Sequence, residues 1–100
     1  MPVWSITIIS GKKPGDPATF VAANQPNAPA GTLYADGGDA VSWDNTTAHN
    51  HQPSLVGAQP VTPGHQTSAW IVPQTPGTSV AYTCLLHPGE QGTIVISSPP

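Results

Sequence analysis

The stretch YTCLLHPGEQGTIVI, residues 82–96, decides the fold of this 100-residue chain. Val80, Tyr82 and Cys84 alternate with other residues, which is typical of a β-strand with one buried face. Because two bulky apolar side chains share the face of Cys84, the chain's only cysteine is predicted to point inward at the strand's end. His87 and Glu90 follow at intervals of three residues. A thiol, an imidazole and a carboxylate therefore lie within seven residues.

The rest of the chain is also predicted to be all-β. No window of ten or more residues has apolar positions at helical spacing, and 13 prolines and 10 glycines interrupt the sequence. Short β-rich runs separated by turn residues favour a Greek-key β-sandwich or barrel of about eight strands. The predicted strands are Val3–Ile9, Thr19–Ala22, Thr32–Ala35, Ala40–Asp44, Ser54–Val56, Gln66–Ile71, Ser79–Cys84 and Gly92–Ser97.

Loops and turns follow from composition. Gly11–Pro17 and Asn24–Gly31 are predicted loops, and the second is long and proline-rich enough to cap one end of the sandwich. Glycine-containing triplets predict three turns, at Gly37-Gly38-Asp39, Thr62-Pro63-Gly64 and Thr75-Pro76-Gly77. Alternation places four further side chains in the core, namely Val41, Trp43, Ile94 and Ile96.

Composition limits the possible functions. Charged residues are only 7 % of the chain, with two Lys or Arg and a net charge of −3, so a phosphate-binding surface for nucleic acid is not expected. No apolar run is long enough to span a bilayer. Residues 1–10 lack a basic start and a cleavage site, so they predict a strand and not a signal peptide; a chain trimmed of its signal would look the same. The length fits one domain, residues 1–100.

The candidate chemistry is that of a metal site. A thiolate, two imidazoles and a weaker fourth ligand form the set that blue-copper sites use. The candidates are His49, His51, His65, Cys84, His87 and Glu90. No nucleophile-elbow pattern frames a serine, and no carboxylate pair is placed for acid–base work, so an enzyme is not expected.

The sequence resembles the small cupredoxins of the plastocyanin and amicyanin type over residues 38–97. The matching segments are Gly38–Asn45, Ala48-His49-Asn50, Thr62-Pro63-Gly64, Thr75-Pro76-Gly77, Val80–Cys84, Cys84–Gly89 and Gly92–Ile96. The resemblance implies a copper-binding electron carrier with His49, Cys84 and His87 as strong ligands. Glu90 stands where the short-loop members have an axial methionine, and this is the main departure from the family pattern.

The resemblance also implies the surroundings of the copper. Asn50 would tie the two ligand loops together and direct its N–H toward the cysteine sulfur. Leu86 stands where many relatives have proline, so its N–H is a candidate second donor to the thiolate. An apolar patch around His87, formed by Leu85, Leu86 and Pro88, would dock a redox partner protein. The family implies a periplasmic or extracellular location, and we expect a monomer.

Several alternatives stay open at this level. Glu90 is predicted to be the axial ligand, which would favour Cu(II) and lower the reduction potential; the alternatives are a turn carboxylate facing water and Gln91 as a rival axial donor. His51 is predicted to be exposed to solvent; the alternatives are that it is a fifth ligand or an exchange partner for His49. Cys84 alone would suit an inert core thiol. The same residues also suit an open copper site that binds a small molecule, or a copper or zinc module without redox work.

Overall fold

The computed structural model describes residues 3–11, 16–25, 27–56, 60–87 and 89–97. Within these residues, seven strands and one 3₁₀ turn follow one another along the chain. They are β1 (Val3–Ile9), β2 (Thr19–Ala22), β3 (Thr32–Asp36), β4 (Ala40–Asn45), the 3₁₀ turn (Ser54–Val56), β5 (Trp70–Ile71), β6 (Ser79–Thr83) and β7 (Gln91–Ser97). No helix in this part of the chain has the length and apolar character needed to cross a membrane.

The strands form two sheets, in the orders β2-β1-β4-β5 and β3-β7-β6. β1 pairs in parallel with β4, and β3 pairs in parallel with β7, whereas the remaining pairs are antiparallel. In sequence order, β3 belongs to the second sheet, whereas β2 and β4 on either side of it belong to the first. The chain therefore crosses between the two sheets. The two sheets pack face to face as the predicted all-β sandwich.

The core lies between the two sheets and follows from strand alternation. Six side chains predicted to point inward are confirmed, because each is at most 2 % exposed: Val41, Trp43, Tyr82, Cys84, Ile94 and Ile96. The same core contains Ile6 and Ile8 of β1 and Leu33 of β3, which are among the largest fully buried side chains. Burial of this apolar surface is the main favourable contribution to folding.

An aromatic cluster lies in the core two residues before Cys84. The ring of Tyr82 meets Phe20 and Trp43 edge-on, with ring centroids 5.0 and 5.2 Å apart. Gly92 is the cross-strand partner of Tyr82 on β7, and a Cβ atom at Gly92 would overlap the Tyr82 ring. Glycine at this position therefore allows the tyrosine ring to lie across the neighbouring strand.

Two predicted elements differ from the structure. Ser54–Val56 is a 3₁₀ turn and not a strand, closed by a hydrogen bond from the N–H of Val56 to the carbonyl of Pro53. The predicted strand Gln66–Ile71 is regular only at Trp70–Ile71, because the Thr67 hydroxyl accepts the N–H of Trp43 where a strand would offer a carbonyl.

The described part of the chain thus has seven strands where about eight were predicted. Cys84 lies just beyond β6 and forms an isolated bridge with Pro53. Within the two predicted loops, residues 12–15 and residue 26 lie outside the described part of the chain.

Candidate metal centre

Four potential metal-binding side chains converge at one end of the sandwich. His51, Cys84, His87 and Glu90 each offer one donor atom, and these atoms all lie within 4.8 Å of one another. Three of the four belong to the segment between β6 and β7. The fourth, His51, belongs to the segment that follows β4.

The segment between β6 and β7 is a tight loop that brings its own side chains together. The N–H of Cys84 donates to the carbonyl of Glu90 over 3.0 Å, and the N–H of Glu90 donates to the carbonyl of His87 over 3.2 Å. Gly89 has a φ of 99°, in a region that favours glycine. The chain therefore turns back within six residues and returns Glu90 to the side of Cys84.

Cys84 is the buried centre of the group. Its Sγ atom lies 3.7 Å from Nδ1 of His51 and 3.5 Å from Nδ1 of His87. The N–H of Gln52 donates to the same sulfur over 3.4 Å. A main-chain hydrogen bond from Leu85 to Gln52, 2.8 Å long, joins the two segments that carry the group.

His51 is held on both ring nitrogens. Nδ1 lies 3.0 Å from Oε1 of Glu90, and Nε2 lies 2.9 Å from Oγ1 of Thr47. The main chain of His51 exchanges two hydrogen bonds with Val61, of 3.1 and 2.7 Å. Burial lowers the pKa of His51 below its ordinary value, although the neighbouring Glu90 acts in the opposite direction. The balance favours the neutral imidazole, which is the form that binds metals.

Glu90 is buried, with 4 % of its surface exposed. Its Oε1 atom faces both imidazoles, at 3.0 Å from Nδ1 of His51 and 3.5 Å from Nδ1 of His87. Its Oε2 atom accepts the N–H of Ala18 over 2.7 Å. The carboxylate is thus fixed by the residue that precedes β2 and does not face water, which excludes the solvent-facing alternative.

His87 provides the group's exposed side. Its side chain is 41 % exposed, whereas those of His51 and Glu90 are 3 % and 5 % exposed. The rings of His87 and His51 lie 4.8 Å apart between centroids. One imidazole of the group therefore reaches solvent, and the other donors lie beneath it.

The structure differs from the sequence interpretation in the upstream histidine. His49 was expected in the group and is exposed outside it, whereas His51 was expected in solvent and is buried within the group. The reason is a bend at residues 47–49 that the Asn45 side chain stabilises. Its Nδ2 donates to the carbonyl of His49 over 2.7 Å, and its Oδ1 accepts the N–H of Thr47 over 2.9 Å.

Other sequence candidates also lie elsewhere. Asn50 is exposed, and Gln52 provides the N–H that was expected from it, since the residue after the buried histidine has shifted by two. Leu86 is 43 % exposed, and the sulfur contacts found among the described residues include none from its N–H. Gln91 is exposed at the start of β7. His65 is exposed beside Thr62.

Two contacts of the group had no signal in the sequence. The N–H of Ala18 is a main-chain donor, so the residue type does not reveal its role. The Thr47 hydroxyl lies four residues before His51, a spacing that would be informative only if the correct histidine were known.

Comparison with known proteins agrees with this architecture. No protein-family model and no curated protein matches the sequence. Among solved structures, a purple cupredoxin from Nitrosopumilus maritimus is similar with a TM-score of 0.67 and 19 % identity, covering 93 % of this chain and 98 % of that one. Amicyanin from Paracoccus versutus has a TM-score of 0.60 and 17 % identity, covering 96 % and 80 % of the two chains. The order of the strands, the two packed sheets and these similarities together show that the chain has the cupredoxin fold.

Proposed function

We propose that this protein binds one copper ion and carries single electrons between partner proteins. His51 Nδ1, Cys84 Sγ, His87 Nδ1 and Glu90 Oε1 would hold the ion. The observation that carries the proposal is the convergence of these four donor atoms within 4.8 Å of one another. The cupredoxin fold and the similarity to amicyanin and to a purple cupredoxin support it.

The chemistry of the donor set fits copper. A thiolate is a soft ligand, and imidazole suits both copper oxidation states. An ionised carboxylate only accepts hydrogen bonds, and the metal-binding nitrogen of an imidazole presents a lone pair. Bringing these atoms together in a buried place is unfavourable unless protons or a cation lie among them. Copper would satisfy all four donors at once.

A bound copper ion would supply the Cu(II)/Cu(I) couple, and the protein sets the electrostatics around it. Glu90 adds a negative charge that favours Cu(II), so it lowers the reduction potential relative to a neutral ligand. The N–H of Gln52, 3.4 Å from the Cys84 sulfur, withdraws charge from the thiolate and acts in the opposite direction. We expect the full charge of Glu90 to outweigh this single hydrogen bond.

The exposed side of the site suits the transfer of electrons. His87 reaches solvent, and Leu85 and Leu86 beside it are 54 % and 43 % exposed. An exposed imidazole surrounded by apolar side chains is suited to a small, transient contact with another redox protein. Pro88, also expected in this patch, lies outside the described residues. A periplasmic or extracellular location and a monomeric state belong to the same proposal.

Copper loading tests the proposal. Purified protein should take up one copper ion, absorb visible light through charge transfer from the Cys84 thiolate, and be reduced and reoxidised reversibly. A Cys84→Ser variant should lose the absorption while remaining folded. A wild-type protein with no such absorption, or with an irreversible redox reaction, would exclude an electron carrier.

Zinc binding without redox work is the second candidate. One thiolate, two imidazoles and one carboxylate also suit a tetrahedral zinc site, and three of these four side chains are buried. Metal analysis of protein purified without added metal, followed by competition between copper and zinc, separates the two functions. Preferential retention of zinc would favour this candidate over the electron carrier.

A further inference from the structure

The Thr47 side chain is the only group found within hydrogen-bonding distance of the outer nitrogen of His51 in the described part of the chain. Its Oγ1 atom lies 2.9 Å from Nε2 of His51, and both residues are buried. A hydroxyl can donate one hydrogen and accept others. When a metal occupies Nδ1 of His51, the proton of the neutral imidazole lies on Nε2, and the Thr47 hydrogen must then point away from that nitrogen.

Asn45 offers that hydrogen a partner. Both hydrogens of its amide group have acceptors, since Nδ2 donates to the carbonyl of His49 over 2.7 Å and to that of Val61 over 2.9 Å. The amide oxygen must then face Thr47. Asn45 Oδ1 lies 2.8 Å from the Thr47 hydroxyl oxygen and 2.9 Å from the Thr47 main-chain nitrogen. Asn45 is fully buried, so water does not compete for these contacts.

We propose that Asn45 and Thr47 are positioning residues that keep His51 protonated on Nε2 and present its Nδ1 lone pair to the metal. The Thr47 hydroxyl donates to Asn45 Oδ1, and its oxygen accepts from Nε2 of His51. The carbonyl of His49, 3.0 Å from the same hydroxyl, is a second acceptor that also directs the hydrogen away from His51. The inference rests on the proposed function insofar as the metal binds Nδ1.

The same contacts fix the orientation of the imidazole ring. Asn45 is bound to Val61, and Val61 is paired through its main chain with His51. His51 is therefore held at its main chain by Val61 and at its Nε2 atom by Thr47. Outer-shell partners of this kind orient a ligand and raise its basicity, and their loss typically weakens metal binding by about 10–100-fold.

The test compares three variants of Thr47. Thr47→Val has almost the same shape without the hydroxyl, Thr47→Ala removes the hydroxyl with less crowding, and Thr47→Ser keeps it. Zn²⁺ and Co²⁺ affinities are measured by competition with a chelator on the intact chain. We expect the Val and Ala variants to bind about 10–100-fold more weakly than wild type, with Ser within about threefold of it.

A second readout does not depend on metal affinity. Nitrogen-15 NMR of the histidine ring reports which nitrogen is protonated, and exchange of the Nε2 hydrogen reports its protection. At saturating zinc, we expect a protected hydrogen on Nε2 of His51 in wild type and in Thr47→Ser. In Thr47→Val, we expect faster exchange of that hydrogen.

The outcomes separate the two claims. Wild-type protein that binds none of copper, zinc and cobalt overturns the proposed function, and with it the role of Thr47 toward a metal. Wild-type protein that binds metal, with Thr47→Val and Thr47→Ala binding equally well, overturns the positioning role. So does a zinc-bound Thr47→Val protein in which the Nε2 hydrogen of His51 exchanges as slowly as in wild type. Should Thr47→Val fail to fold, Thr47→Ala gives the same comparison.

Discussion

The Nδ1 atom of His51 lies 3.0 Å from Oε1 of Glu90, although the two residues are 39 positions apart in sequence. Both side chains are almost fully buried. The contact joins the segment after β4 to the loop between β6 and β7, and it lies beside the only thiol of the chain. This side-chain contact therefore holds together the two loops that carry the four-residue group.

Replacing His51 should remove metal binding, whereas replacing His49 should not. His51→Ala removes a donor atom from the buried group, and we expect copper affinity to fall by more than about 100-fold, beyond the loss typical of outer-shell changes. His49→Ala removes an exposed side chain outside the group, and we expect a change smaller than about threefold. Chelator competition measures both.

This pair of variants also decides whether His49, as the sequence predicts, or His51, as the structure indicates, is the upstream ligand. The metal-free stability of each variant, measured in urea, shows whether a loss of affinity reflects a loss of folding. If His49→Ala abolished copper binding and His51→Ala retained it, the arrangement in the structure would not be the one that binds metal.

Glu90→Gln should keep the shape of the loop and raise the reduction potential. The amide removes a negative charge beside the metal, so Cu(II) loses more stabilisation than Cu(I). We expect Cu(II) affinity to fall at least tenfold, about 1.4 kcal/mol. Potentiometry on the copper-loaded protein measures the shift directly.

Glu90→Met provides the matched comparison, since it places a neutral thioether in the same register. We expect a higher potential than in wild type and a visible band closer to that of a blue-copper site. Unchanged spectra and potentials in both variants would show that Glu90 is not a ligand and serves only as the hydrogen-bonded partner of His51 and Ala18.

Most of the fold follows from local patterns in the sequence. Alternation in β4, β6 and β7 identifies the buried face of each strand, because side chains on one face repeat every two residues. The close spacing of Cys84, His87 and Glu90 identifies most of the candidate site, because a single loop holds all three residues. These predictions depend only on neighbours in sequence.

The upstream histidine could not be predicted from such patterns. His49 and His51 are two residues apart, so a regular strand would place both on one face, and alternation cannot choose between them. The choice depends on the bend that Asn45 stabilises through its contacts with Thr47 and the carbonyl of His49. The contact of Ala18 with Glu90 spans 72 positions through a main-chain N–H, which residue type does not encode.

Gly92→Ala should destabilise the protein through the Tyr82 ring. A Cβ atom at Gly92 overlaps the ring, which must then leave its edge-on contacts with Phe20 and Trp43. We expect a loss of about 1–3 kcal/mol, as is typical of overpacked cores, measured by urea unfolding of the metal-free protein.

A double-mutant cycle isolates this contact. In a Tyr82→Leu background, the ring atoms nearest to Gly92 are gone, so the cost of Gly92→Ala should become smaller. An equal cost in both backgrounds would indicate that the glycine is needed for its backbone and not for the neighbouring ring.

Tyr82→Phe should leave the metal-free protein as stable as wild type or more stable. The Tyr82 hydroxyl and the indole Nε1 of Trp43 are buried without a hydrogen-bond partner in the described part of the chain. Burial also raises the pKa of Tyr82, so the phenol stays protonated and its O–H remains a donor in an apolar place. Since an unsatisfied buried hydroxyl costs about 1–3 kcal/mol, removing it should offset the small loss of packing around the missing oxygen. Tyr34→Phe is the matched control, because the Tyr34 side chain is 43 % exposed and its loss should change the free energy of unfolding by less than about 0.5 kcal/mol. A Tyr82→Phe variant destabilised by more than about 1 kcal/mol would mean that the hydroxyl forms a hydrogen bond in the folded protein, with the indole N–H of Trp43 as the candidate donor.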